Sequence, residues 1–470
     1  MPSSVFDTEP SDLRRLIRFI GRALTAGGDN AAKGPLRRAI PLLAIPMVLE
    51  MAMESLFALS DVYFVAQLGA PAVAAVGMTE SIIAIVYAVA FGLAMPTGAM
   101  VARRIGEGDP EGASRTAVQA VWLALLVGGL LACSVFLAPQ LLALMGAQAD
   151  VMAAGRGFME ISLLGSPFIT LLFVHGAVFR GAGDPRRAMR AMWLANGLNI
   201  LLDPCLIFGW GPFPDLGVSG AAVATLVGRG CGVLYQLVHL WRGPLIALAQ
   251  QTRVQLSVMG RIALLSIGAA VQHLVEIGSW IALVRVVADL GSAHLAAYTI
   301  TVRLAMFFLM PAWGFSNATA TLVGQSLGAR DPSRAERAVW LSGFYASPFL
   351  FAVTLLFTLF PTTLAAGFSN DPEVVQAAQG GLYALAFGYV FYGWQMVTQQ
   401  ALNGAGDTQS PAVINIGCFW VLQIPLAYSL AIPAELGIAG VFAAASLSYT
   451  VAAVWGVLLV RRGRWKQVEV

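Results

Sequence analysis

Acidic side chains recur in this sequence where their neighbours are apolar. Glu50, Glu54 and Asp61 fall within one apolar run, and the helical repeat leaves them within about 40° of one another on a single face. Asn199 and Asp203, one turn apart, share a face of a second run. Asp203 stands just before Pro204, whose ring deprives a neighbouring carbonyl of its usual partner and leaves polar backbone available. His273 and Glu276 lie in a third run, with Glu276 placed 222 positions after Glu54. Two carboxyls sharing a low-dielectric pocket can exchange a proton or hold a small cation between them, titrating as a pair. Other chemistries lack their residues. The four histidines form no paired arrangement, and no second Glu-x-x-His accompanies His273 and Glu276. The four cysteines form no CxxC pair, and no nucleophile motif stands out. Neither a metal site nor an enzyme is expected.

The elements that must position these acids are membrane helices. Of 470 residues, 58% are hydrophobic and 11% charged, with a mean hydropathy of +0.75. Soluble domains carry about 25% charged residues, so a soluble protein is excluded. Twelve apolar segments are expected near 38–66, 73–101, 116–139, 153–179, 188–210, 218–241, 259–288, 295–324, 338–361, 375–402, 411–432 and 437–460, each long enough for a span of about 20 residues. An acid at the centre of such a span costs about 2.5–3.5 kcal/mol. Three on one stripe must therefore face a partner or a wet cavity. Glu80 and Glu160 read as interfacial, Glu50 as the partner of a basic residue, and Arg285 with Asp289 as a structural pair. Arg303 is placed to neutralise Glu276 or Asp289.

All but four of the 28 Lys and Arg (Arg156, Arg229, Arg285 and Arg303) lie in the N-terminal segment, in the loops after even-numbered helices, or in the C-terminal tail. The positive-inside rule then puts both termini in the cytoplasm of a multi-pass protein of the cell (inner) membrane. Residues 1–35 are a basic segment. Leu13, Leu16, Ile17, Ile20 and Leu24 recur at helical spacing opposite Arg14, Arg15, Arg18 and Arg22, a pattern that fits an interfacial amphipathic helix or a basic tail.

An internal repeat divides the rest. Gly92, Thr97, Gly106, Asp109, Pro110 and Arg115 match Gly314, Thr319, Gly328, Asp331, Pro332 and Arg337 at a constant offset of 222, and Gly181-Ala182-Gly183-Asp184 matches Gly404-Ala405-Gly406-Asp407. Each repeat holds six helices, so the halves run in the same direction, related by a two-fold axis along the membrane normal. The expected fold is all-α, with twelve transmembrane helices in two pseudo-symmetric six-helix bundles. These are an N-lobe over 36–242 and a C-lobe over 258–462, joined by a linker at 243–257 and followed by a tail at 463–470. Secondary transporters are built this way, with two lobes rocking about a site near the midplane.

The segment Pro46…Asp61-Val-Tyr-Phe-Val…Leu68-Gly69…Ala74-Ala75-Val76-Gly77, followed by Asn199-Ile-Leu-Leu-Asp203-Pro204, resembles the multidrug and toxic compound extrusion (MATE) family over about residues 36–462. The resemblance implies an antiporter that exports amphipathic, cationic drugs or metabolites in exchange for H⁺ or Na⁺ by alternating access. It would need no cofactor beyond that coupling ion and no nucleic acid, and would act as a monomer in the bilayer. It implies that Pro46 bends helix 1 and that Asp61, Asn199, Asp203 and Thr225 form an N-lobe cation or proton site, with Glu54 and Glu276 a secondary acidic site. Helix 10 departs from the sodium-coupled branch, carrying about Tyr392 where that branch has an acid. Met53, Tyr63, Tyr392, Trp394 and Met396 are candidates for a substrate cleft, since aromatic faces attract cations and methionine adapts its shape. A lipid-linked oligosaccharide flippase is the alternative within the wider superfamily; it would need a basic cleft.

Overall fold

The computed structural model describes residues 19–25, 34–243 and 253–468. It is helical throughout. The spans are α1 (Leu36–Ala66), α2 (Ala70–Glu107), α3 (Pro110–Leu144), α4 (Ala149–Leu164 and Ser166–Gly181, bent by 42° at Gly165), α5 (Pro185–Ile207) and α6 (Val218–Trp241) in one lobe. The second lobe holds α7 (Leu256–Ala288), α8 (Ser292–Gly328), α9 (Pro332–Leu359), α10 (Pro372–Ala405), α11 (Gln409–Ala431) and α12 (Gly437–Arg462). Ten of these are long and apolar enough to cross a membrane, and the bent pair makes eleven. The twelfth, α5, falls short in apolarity because it carries Asn196, Asn199 and Asp203; all three are buried, facing protein and not lipid. Arg14, Arg15 and Arg18 lie outside the described residues. Residues 19–25 are helical, and Arg190 Nη2 donates to the Leu24 carbonyl at 2.9 Å.

The pseudo-two-fold axis is visible in matched contacts. A Cβ on Gly92 would stand 2.8 Å from Ala270, and one on Gly314 would stand 2.5 Å from Val48; each residue of the first pair lies 222 positions from its counterpart in the second. Nearer the basic ends the same symmetry holds: a Cβ on Gly106 would collide with the Gln325 carbonyl, and one on Gly328 with the Arg103 carbonyl. The first helix of each lobe thus leans on the second helix of the other. Leu36, Ile40, Leu43 and Met47 of α1 pack on Ala318 and Leu322 of α8, while Ile262 of α7 joins the core of the first lobe. Glycine is required at these positions because backbone meets backbone.

The basic face is therefore shut. It is also strapped: after α12, Trp465 is buried, Lys466 pairs with Glu336 at 2.6 Å, and Arg103 Nη2 donates to the Val468 carbonyl at 2.8 Å. Gly328→Ala is expected to cost about 1–3 kcal/mol through overpacking, read as a lower thermal unfolding midpoint. Gly106→Ala should match it, because the two contacts are symmetry-related. Unchanged midpoints in both variants would mean that the seam yields without cost.

Pro46, the expected bend, lies with Pro41 inside α1, which runs as one helix from Leu36 to Ala66. In α11 the backbone widens to a π-helix over Ile416–Gln423 ahead of Pro425, a way of accommodating the proline without ending the span.

Candidate functional site

α5 and α6 approach closely because α6 presents glycine to α5 backbone: a Cβ on Gly228 would collide with the Ala195 carbonyl, and one on Gly220 with that of Leu206. That approach sets Asn199 Nδ2 2.8 Å from Thr225 Oγ1, to which it donates. Asp203, one turn further along α5, is wholly buried. Both of its carboxyl oxygens and Asn199 Oδ1 lack a hydrogen-bond partner among the described residues. Asp61 of α1 is 8% exposed and close enough to Asp203 for the two charges to act on each other. Neither acid forms an ion pair among the described residues. Asp61, Asn199, Asp203 and Thr225 are thus one neighbourhood, rich in oxygen and without a fixed cation in contact.

Asp61 and Thr225 open onto an N-lobe cavity of about 370 Å³, also lined by Glu54, Glu80 and Arg229 and walled by Tyr87, Phe91, Phe173 and Trp313. Glu54 Oε2 accepts from Asn196 Nδ2 at 2.7 Å. Arg229 donates to the Tyr87 hydroxyl and lies over its ring, 5.3 Å from the centroid. It acts electrostatically on Asp61 without pairing with it. The cavity holds three carboxylates against one guanidinium, an acidic balance.

A second, smaller cavity of about 80 Å³ lies between the lobes, lined by Arg180, His273, Glu276, Trp313, Met396 and Asn403 among others. Glu276 Oε2 stands 3.8 Å from His273 Nδ1. Beside it Glu50 of α1 pairs with Arg180 of α4 at 2.7 Å, the basic partner expected for that glutamate. Around this cavity amides of α8 and α10 interlock. Asn403 Nδ2 donates to Gln400 Oε1 at 3.0 Å, and Gln400 Nε2 to Asn317 Oδ1 at 3.1 Å.

Several sequence expectations need correction. Glu54 and Glu276 line different cavities and do not form one acidic site. Glu80 lines the N-lobe cavity, where Arg303 acts on it electrostatically in place of Glu276. Arg285 does pair with Asp289, at 2.6 Å, and Glu160 with Arg156, at 2.7 Å. Of the five cleft candidates only Met396 lines a described cavity. Met53 faces Gly197 of α5, leaving Met51, two residues back, to line the cavities. Tyr63 is 65% exposed, its ring against Phe64. Tyr392 is buried behind Trp313, whose indole donates to its hydroxyl at 3.2 Å. Trp394 turns to α9, packing on Trp340 and Phe344. The residues missed were Tyr87 and Phe91, one turn apart on α2, with Phe173 and Trp313. The helical repeat of α2 was the available signal for the first two.

The family signature of MatE matches residues 46–205 and 269–429, one stretch in each lobe. The chain is 25% identical over 435 residues to a probable multidrug resistance protein NorM of Thermotoga maritima, covering 92% of this chain and 94% of that protein. It is 29% identical over 400 residues to a FAD transporter of Shewanella oneidensis, covering 84% and 88%. Among solved structures, one described as the outward-facing conformation of a multidrug resistance MATE family transporter of the MOP superfamily superposes with a TM-score of 0.88. It shares 28% identity, with 95% of this chain and 100% of that chain covered.

Proposed function

The chain belongs to the MatE family, and on that premise we propose that it is a secondary active antiporter that exports amphipathic organic cations in exchange for inward H⁺ or Na⁺. The observation that carries this reading is the Asp61–Asn199–Asp203–Thr225 cluster, oxygen-rich, with both acids buried and no fixed counter-charge in contact. A buried carboxylate without a partner is costly. A mobile cation or proton removes that cost while it is bound and restores it on leaving. Because Asp61 also lines the N-lobe cavity, ion binding changes the charge that a substrate meets there. The ion and the substrate then favour different states, which is the condition for coupling.

The acidic balance of the N-lobe cavity supports cations as substrates and speaks against the flippase reading, which needs a basic cleft. Arg229, stacked on Tyr87, supplies one anchor for an anionic group on an otherwise cationic or aromatic substrate. The closed, basic face is the cytoplasmic one in this reading, so the chain is in its outward-facing state.

Proteoliposomes loaded with a fluorescent organic cation, with H⁺ and Na⁺ gradients imposed separately, test the proposal and identify the ion. Efflux under neither gradient overturns it. Thr225→Val should raise the half-saturating ion concentration about tenfold, the value of roughly one lost hydrogen bond to a coordinating group. An unchanged concentration would remove Thr225 from the site.

A further inference from the structure

On the basic face, where the two lobes meet, two adjoining cavities of about 360 and 400 Å³ are both lined by Arg104 of the N-lobe and Arg261 of the C-lobe. Arg115 lines the first; Arg103 and Arg330 line the second. The carboxylates present are already engaged. Glu107 pairs with Arg104 at 2.8 Å and reaches Arg103 at 4.0 Å, and Asp109 Oδ1 accepts from the Gly112 amide at 2.8 Å as the cap of α3. Arg115, Arg261 and Arg330 have no carboxylate partner among the described residues. Arg115 Nε is buried with no hydrogen-bond partner there, although the first cavity lies beside it.

This arrangement opposes the closure it sits on. Guanidinium groups from opposite lobes repel across a seam that the glycine contacts have brought together, and the repulsion is strongest where the groups are least hydrated. The seam is also built with care. Gln119 of α3 donates to the Arg253 carbonyl at 2.8 Å and accepts from the Gln255 amide at 2.7 Å, holding the start of α7, and hence Arg261, against the N-lobe. A phosphoryl anion held between them would turn the repulsion into a bridge, and arginine's planar fork suits phosphoryl oxygens. Basic pockets between helices at this level of a bilayer take lipid phosphates.

We infer that the Arg104–Arg115–Arg261 seam is a binding site for a phosphoryl anion, from an anionic phospholipid headgroup or from free phosphate, that ties the lobes together on the basic face. The binding claim stands without the transport reading; only its consequence, a slower opening of that face, rests on it. In native mass spectrometry of the purified full-length chain, short-chain phosphatidylglycerol should bind at least about tenfold more tightly than phosphatidylcholine. Arg115→Gln and Arg261→Gln should each erase most of that difference. Competition by millimolar inorganic phosphate identifies the phosphoryl group alone as the ligand; retention of phosphatidylglycerol in its presence identifies a headgroup held with its chains, and either result agrees with the site. Spin labels at Glu111→Cys and Ser333→Cys should report a smaller open population in phosphatidylglycerol nanodiscs than in phosphatidylcholine. Arg115→Lys and Arg261→Lys, which keep charge and fold but lose the fork, should bind at intermediate strength. Equal binding of both lipids with no effect of phosphate, or arginine variants that bind like the unaltered chain, would overturn the inference. If binding holds and only the labels fail to respond, the opening direction assigned in the transport reading is what falls.

Discussion

Asp203→Asn should abolish ion-driven efflux, lowering the initial rate at least about 100-fold, while leaving the protein as stable as before or more so. The two expectations come from the same geometry. Asp203 has no exposed surface and neither carboxyl oxygen finds a partner among the described residues, so the side chain contributes nothing by hydrogen bonding to the resting fold. Its neutral isostere fills the same volume and avoids a buried charge, which raises stability on the order of 1 kcal/mol. What asparagine cannot do is release and recapture a positive charge. Efflux in proteoliposomes and thermal unfolding in detergent, measured on one preparation, separate the effects. If the variant pumps like the unaltered chain, Asp203 is not the coupling group. If it pumps poorly and unfolds early, the acid is structural.

Arg180→Ala should have the opposite signature, a loss of about 3–5 kcal/mol of stability, because Glu50 would keep a buried charge with nothing opposite it. Arg180 also holds the lobes together through its main chain, whose carbonyl accepts from Thr321 Oγ1 of α8 at 3.2 Å. That bond survives the substitution, so the loss isolates the side chain. Combining it with Glu50→Gln should recover most of the loss, since the neutral amide no longer carries a buried charge that needs a partner. Equilibrium unfolding of both single variants and the double variant gives the coupling energy directly. A double variant no more stable than Arg180→Ala would mean that Arg180 acts by packing and not by charge.

The repeat was the most legible feature of the sequence, because glycines that permit backbone contact leave an ungapped trace: Gly92, Gly106, Gly314 and Gly328 stand out in the alignment of halves and mark the contacts across the axis. The N-lobe acids were legible because polar groups have few tolerable places in an apolar helix. What sequence could not supply was which neighbour each helical face meets. Glu50 and Arg180 are 130 residues apart and belong to runs with no shared pattern. Trp394 lies two residues from the cavity-lining Met396, yet about 200° away around the helix, and so meets α9. Glu80 lines a cavity wall together with Arg229, 149 positions away, a neighbour that the pattern of its own helix does not disclose.

The polarity of α5 has a consequence for how the chain is made. With Asn196, Asn199 and Asp203 along it, this helix cannot partition into lipid on its own when it emerges during synthesis; an aspartate at mid-depth alone weighs against it by about 2.5–3.5 kcal/mol. Its relief comes from α6, whose Gly228 and Gly232 close on Ala195 and whose Thr225 receives Asn199. The two must therefore leave the insertion machinery as a hairpin. Lengthening the loop at 208–217, which delays the arrival of α6, should strand α5 outside the bilayer more often than the same extension placed after α2.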